Sequence, residues 1–199
     1  MRRKKAIVTW KAKAGPDLIL LFGDSAEVSL MPTITRCWTR QGQQRVILTP
    51  GARAAKCWDW GSVDPLSGRT IHLLHPRRNN VGFRRLLAAI SRAYELPTHP
   101  ERQVVLFVDN DKAHDAKPVR QLVAKYKERL HLEWLPSYTP ELNPQEDIWQ
   151  QMRRQVTHNH YFEQLDALVE AVDKFHCDLE GAPEQVLRLI SKWARVIAS

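Results

Sequence analysis

Apolar residues run unbroken from Leu18 to Phe22, and the surrounding segment 17–30, DLILLFGDSAEVSL, reads as a buried strand that continues past Asp24. Two further strand-like segments, AAKCWDWGSVD and RTIHLLHP, bracket the sequence DPLSG at 64–68, whose Pro and Gly suit a hairpin turn. These make three early strands, read as antiparallel. In residues 80–96 the apolar positions Phe83, Leu86, Leu87 and Ile90 fall at the spacing of an amphipathic helix. QVVLFVDND at 103–111 is an apolar run suited to a strand buried on both faces. A second helix over about 116–130 leads to the short strand HLEWL, and after a Pro-rich loop the chain is helical to its end, with one break at Gly181 and Pro183. The last helices carry packing faces, Leu165, Leu168, Val169 and Val172 in one and Val186, Leu189, Ile190 and Trp193 in the other. Strands, helix, strand, helix, strand and then helices define an α/β protein with a mixed sheet.

Charge adds a partner to this picture. The 199 residues carry a formal net charge of +8, which points to a polyanion: nucleic acid first, an acidic membrane surface second. Two stretches are free of acids. One holds Arg2, Arg3, Lys4, Lys5, Lys11 and Lys13; the other, between Glu27 and Asp59, holds Arg36, Arg40, Arg45, Arg53 and Lys56. Such runs are solvated faces or phosphate contacts. Trp38 among Arg36, Arg40 and Arg45 is either a stacking platform for bases or the anchor of a loop. Cys37, Cys57 and Cys177 have no CxxC spacing, so a disulfide framework or zinc knuckle is not indicated, and a reducing cytoplasm is expected. No apolar run approaches the length of a membrane span, and no signal-peptide pattern follows the basic N-terminus.

Candidate chemistry lies in three acids on separate segments. Asp24 sits within a buried strand, where a lone carboxylate must be paired or bind something. Asp109 ends the strongest buried strand, at the edge where open α/β sheets place their ligands, although Asp in DND is also a turn former. In PSYTPELNPQEDIW, Asn143 suits an N-cap and Pro144 the first helical position. Glu146 is then the third helical residue, either reaching back in a capping box or serving as a metal ligand. Converging acids of this kind suit hard divalent ions, Mg²⁺ or Mn²⁺, and a pair of such ions can activate and stabilise the oxygens of a phosphodiester. His114 steadies an acid, contacts a phosphate or is structural. His158 and His160 read as an exposed helix end. Glu146, Trp149 and Arg153 share a helix face, with Trp149 directed to the core and Arg153 a candidate DNA contact.

Asp24, the segment VDNDKAH with Asp109, Asn110 and His114, and SYTPELNPQEDIW with Glu146 resemble the DDE catalytic domain of mariner-type transposases, in particular their bacterial insertion-sequence branch. Trp38 and Gly42 in CWTRQGQQ and the DPLSGR hairpin add to the likeness, which runs from about residue 17 to about 175. The resemblance implies a ribonuclease-H-like fold with a central mixed five-stranded sheet, flanking helices and extra C-terminal helices. The corresponding division is a basic segment 1–16, a catalytic domain 17–160, and helices 161–199 packed on the same domain. It further implies that Asp24, Asp109 and Glu146 bind two Mg²⁺ or Mn²⁺ ions. The expected activity is cleavage at mobile-element ends and strand transfer into target DNA, by a homodimer on double-stranded DNA in the bacterial cytoplasm, associated with the nucleoid when active. A nuclease that only hydrolyses and an inactive DNA-binding relic are the alternatives. Two departures are local: Ser25 stands where relatives often have an acid, and Gln145 where an aliphatic residue is common. A third is length, because complete members carry helix-turn-helix domains before the catalytic domain; such a half is expected to be separate or fused.

Overall fold

A computed structural model describes residues 2–13, 17–51, 54–126 and 129–193, without the side chains of residues 2–6 and 11. The basic side chains of Arg2, Arg3, Lys4, Lys5, Lys11 and Arg53, and residues 194–199, therefore lie outside the described residues.

The fold is built on β1 (Leu18–Ser29), the centre of a five-stranded sheet. On one side β2 (Lys56–Val63) and β3 (Thr70–His75) follow antiparallel; on the other β4 (Gln103–Val108) and β5 (Leu130–Trp134) run parallel to β1. The spatial order is β3-β2-β1-β4-β5. The expected turn at 64–68 joins β2 to β3. Its Asp64 Oδ1 accepts the backbone N–H groups of Leu66 and Ser67, and Gly68 takes the left-handed φ of 75° that closes it. The mixed five-stranded sheet is the one the sequence predicts.

Alternation along β1 and β4 divides the core. Leu20, Phe22, Val105 and Phe107 pack on one face with α4 (Gln145–Met152), α5 (Leu165–Glu180) and α6 (Pro183–Leu189). Leu21, Val104, Leu106 and Val108 pack on the other with α2 (Asn80–Ala93) and α3 (Lys117–Lys125). Both central strands are thereby covered twice, which explains their continuous apolar sequence.

Several ends differ from expectation, each for a local reason. The helix expected over 80–96 stops at Ala93, because the Leu96 N–H turns back to the Ser91 carbonyl and Glu95 adopts φ 51°. The helix expected over 116–130 stops at Lys125, where the Tyr126 N–H caps it on the Val123 carbonyl. The strand expected over 103–111 ends at Val108, and the Asp109 side chain accepts the Asp111 N–H to open a turn. The basic segment at the N-terminus forms α1 (Arg2–Lys13), whose Ile7 is buried in the core and whose Trp10 donates its indole N–H to Glu133 at 3.2 Å. After α4 the chain widens into a single π-turn, Arg153–Thr157. No helix among the described residues is long and apolar enough to cross a membrane.

Candidate active site

Strand register alone brings two of the acids together. Phe22 of β1 pairs with Phe107 of β4, and Asp24 and Asp109 each lie two residues further in the same direction. Parallel strands with equal offsets place both carboxylates on the face that α4 covers. The third acid arrives with the start of α4. Asn143 is extended (φ −107°, ψ 101°) and its Oδ1 accepts the Gln145 N–H at 3.2 Å, while Pro144 already has helical angles. Its side-chain amide donates to the Gly23 carbonyl at 3.4 Å, so one residue caps the helix and ties it to β1 beside Asp24. The capping-box alternative for Glu146 is not realised: the Asn143 N–H donates to the Pro140 carbonyl at 2.9 Å. Glu146 instead faces a cleft of about 440 Å³ together with Asp24, Asp109, Asn110, Asp111 and Arg78.

Close approach of α4 to the sheet depends on Gly61, which pairs with Asp24 across β1 and β2. A Cβ at this position would lie 2.6 Å from Trp149 Cη2 and 2.7 Å from Gln145 Nε2. Trp149 is buried as expected, yet its indole N–H also donates to Asp24 Oδ2 at 3.2 Å. Helical spacing directs Trp149 to the core but does not reveal which atom a buried indole addresses.

Electrostatics separate the acids. Asp24 is only 9 % exposed, and burial, reinforced by the negative Glu146, pushes its pKa up to about 7. Burial also acts upward on Asp109, but the hydrogen bond and charge of His114, the Asp111 N–H and Arg78 outweigh it and hold Asp109 below the ordinary carboxylate range. His114 Nδ1 lies 2.9 Å from Asp109 Oδ1, with the ring buried against Trp60 and Phe83. Its place is therefore beside an acid. Arg78 contacts Asp111 at 2.6 Å and Asp109 at 3.9 Å, and its guanidinium lies over the Trp58 ring. Neither Arg78 nor Asp111 was singled out by sequence; Arg78 lies in the short connection before α2, where a single arginine carries no periodic signal.

The remaining candidates lie elsewhere. Arg36, Trp38 and Arg40 are exposed on an arm between β1 and β2, described over residues 30–51 and 54–55. Trp38 is 102 % exposed, which removes the loop-anchor alternative. Arg45 donates to the Asn159 carbonyl at 3.3 Å, and Asn159 in turn bonds the Thr35 N–H and carbonyl through its side chain. Arg153 is half-buried in a separate cleft with Glu27, Ser29 and Thr33. His158 bridges to Thr33, and His160 is exposed.

Three carboxylates lining one cleft give an all-oxygen donor set of the kind that suits hard divalent ions. The sequence profile of the DDE superfamily endonuclease matches residues 19–169. The chain belongs to that family. It is 24% identical over 156 residues to the insertion element IS630 uncharacterized 39 kDa protein of Shigella sonnei, covering 78% of this chain and 44% of that protein. Over 136 residues it is 30% identical to the uncharacterized protein y4pE/y4sA of Sinorhizobium fredii (strain NBRC 101917 / NGR234), covering 68% and 94% of the two. The fold matches the catalytic domain of Mos1 mariner transposase, with TM-score 0.63 and 16% identity over 99% of this chain and 91% of that one. It also matches a Mos1 mariner paired-end complex with Mn, with TM-score 0.71 and 18% identity over 99% and 60%. The architecture is thus ribonuclease-H-like. The chain spans less than half of the Shigella relative and 60% of the Mos1 chain in the Mn complex.

Proposed function

We propose that this chain is the catalytic part of a transposase that cuts DNA at the ends of a mobile element and joins the freed 3′ hydroxyl to target DNA. The observation that carries this reading is the convergence of Asp24, Asp109 and Glu146 on one cleft, with Asp24 buried and facing another negative charge. A carboxylate held in that state is relieved by a cation, and an all-oxygen donor set selects Mg²⁺ or Mn²⁺. The Mos1 structures with Mg and with Mn support the same class of metal. Two ions held by the three acids would supply Lewis-acid activation of the attacking oxygen and stabilisation of the leaving one.

The chain's own residues do the rest. Asp24 is orientated by the Trp149 indole, and Asp109 is kept ionised by His114 and Arg78. Asn143 fixes the direction of the first turn of α4, and therefore of Glu146. Arg78 at the cleft, with Arg36, Trp38 and Arg40 on the arm, would hold backbone phosphates and bases. Arg45 and Arg153 are secondary contacts on this reading. Residues 17–160 would form the catalytic unit and the later helices its buttress. The protein acts on double-stranded DNA as a homodimer, for which the arm's exposed Ile34, Val46 and Leu48 offer an apolar surface. A helix-turn-helix half, fused or separate, selects the element ends, and the reaction takes place at the nucleoid in the bacterial cytoplasm.

Asp24→Asn, Asp109→Asn and Glu146→Gln should each abolish Mg²⁺-dependent cutting of end-containing DNA while leaving DNA binding intact. Full activity in any one of them sinks the assignment. Products joined to target DNA separate a transposase from an enzyme that only hydrolyses.

A further inference from the structure

On the same face of the sheet as Asp24, beneath α5, Asp59 of β2, His72 of β3 and His176 of α5 meet in the interior. Asp59 and His176 are 0 % and 1 % exposed. His176 Nε2 lies 2.7 Å from Asp59 Oδ2, and the two imidazoles stack with centroids 3.9 Å apart. One facing nitrogen from each ring and a carboxylate oxygen all lie within 4.8 Å of one another.

Hydrogen bonding leaves this cluster incomplete. Asp59 Oδ1 and His72 Nδ1 face each other at 3.6 Å, too far for a hydrogen bond, and both are buried without a hydrogen-bond partner. With His176 Nδ1, three buried polar atoms of the cluster are left this way, which is costly. The separation is close to that spanned by two bonds of about 2.0–2.1 Å to a shared tetrahedral ion. Asp173 Oδ1 lies 3.8 Å from His72 Nε2, on the far side of the ring and likewise beyond a direct hydrogen bond.

We infer that Asp59 Oδ1, His72 Nδ1 and His176 Nε2 form a structural site for a zinc-class transition-metal ion, separate from the carboxylate cleft. Two imidazoles and one carboxylate favour such an ion over Mg²⁺ or Ca²⁺, which require oxygen ligands. Complete burial of Asp59 and His176 suits a structural ion, with water as fourth ligand on the solvent side beside His72 and the half-exposed Asp173. On binding, the ion replaces the proton shared by His176 and Asp59 and releases it. The site clamps β2, β3 and α5. It also braces the carboxylate cleft from the side, because the His176 ring meets the Trp149 indole edge-on at 5.9 Å and that indole holds Asp24.

The test is metal content and melting of the full chain, made in zinc-containing medium, passed over a desalting column and then titrated with Zn²⁺. The expected results are one retained equivalent of zinc and a melting temperature raised by roughly 5 to 10 °C over chelator-treated protein. The triple variant Asp24→Asn, Asp109→Asn, Glu146→Gln should retain the same zinc. His72→Asn, which leaves the Asp59–His176 bond in place and lies at a partly exposed position, should lose both the zinc and the melting shift while keeping its circular dichroism. If His72→Asn misfolds, Co²⁺ bound to the wild type must show the visible bands of a tetrahedral nitrogen–oxygen site. Absence of bound zinc in folded wild type, or equal zinc binding by wild type and folded His72→Asn, overturns the inference and leaves a proton-bridged Asp–His cluster.

Discussion

Asp24 is where the cost and the use of the cleft coincide. In the unfolded chain its carboxyl titrates near 3.8, whereas in the fold burial and Glu146 raise it to about 7. Below about pH 4 both states keep the proton. Between pH 4 and 7 the unfolded chain ionises first, so the native state steadily loses stability, and above 7 the deficit is constant. In chelator, Asp24→Asn should therefore be more stable than wild type at pH 8, by about 4 kcal/mol at most, and melt together with it near pH 4. Melting at the same temperature at pH 8 would show that Asp24 carries no such strain. Divalent metal should reverse the order at pH 8, since only the carboxylate gains from it. The three acids were legible in the sequence because each sits at a distinctive place: inside an apolar strand, at the end of another, and after Asn143-Pro144. Arg78, Asp111 and the indole of Trp149 were not, because their roles depend on which loop or helix crosses the cleft, and no local pattern records that.

At the scale of elements, the decisive contact is α4 on β2. Gly61 lets Trp149 and Gln145 sit against the sheet, and any Cβ there must push back rigid atoms of an indole. Gly61→Ala should destabilise the fold by about 1–3 kcal/mol through overpacking. It should also lower cleavage by at least roughly tenfold by displacing the turn that holds Glu146. Normal cleavage with an unchanged melting temperature would show that α4 can shift without consequence. Strand and helix order followed from periodicity, since the elements are long and strongly patterned. What escaped were their ends, and α1: reversal at Glu95 is set by backbone hydrogen bonds, and the basic composition of residues 2–13 hides the burial of Ile7. The π-turn at Arg153–Thr157 likewise left no periodic trace, and it now carries Arg153 into a cleft of its own.

For the whole molecule, the exposed arginines of the arm and the carboxylates of the cleft occupy different places. Arg36 and Arg40 stand on the arm, away from the carboxylates, so Arg36→Ala with Arg40→Ala should weaken DNA binding without altering melting. The slope of log affinity against log salt should become shallower by about 2, one unit for each phosphate the protein no longer neutralises. An unchanged slope would place the DNA elsewhere. The arm has a further consequence. Ser29 pairs directly with Lys56, and the Leu30 N–H bonds the Ala55 carbonyl at 3.0 Å, so the excursion 30–55 leaves and re-enters the sheet at adjacent points. To the sheet, β1 and β2 are a hairpin whose connection is arbitrary in length. Apart from buried Leu30 and the tethers at His158 and Asn159, this appendage is exchangeable: a tight turn or a foreign loop beyond them would preserve the carboxylate cleft. On the proposed reading, what the arm grips can therefore be altered separately from what the carboxylates do.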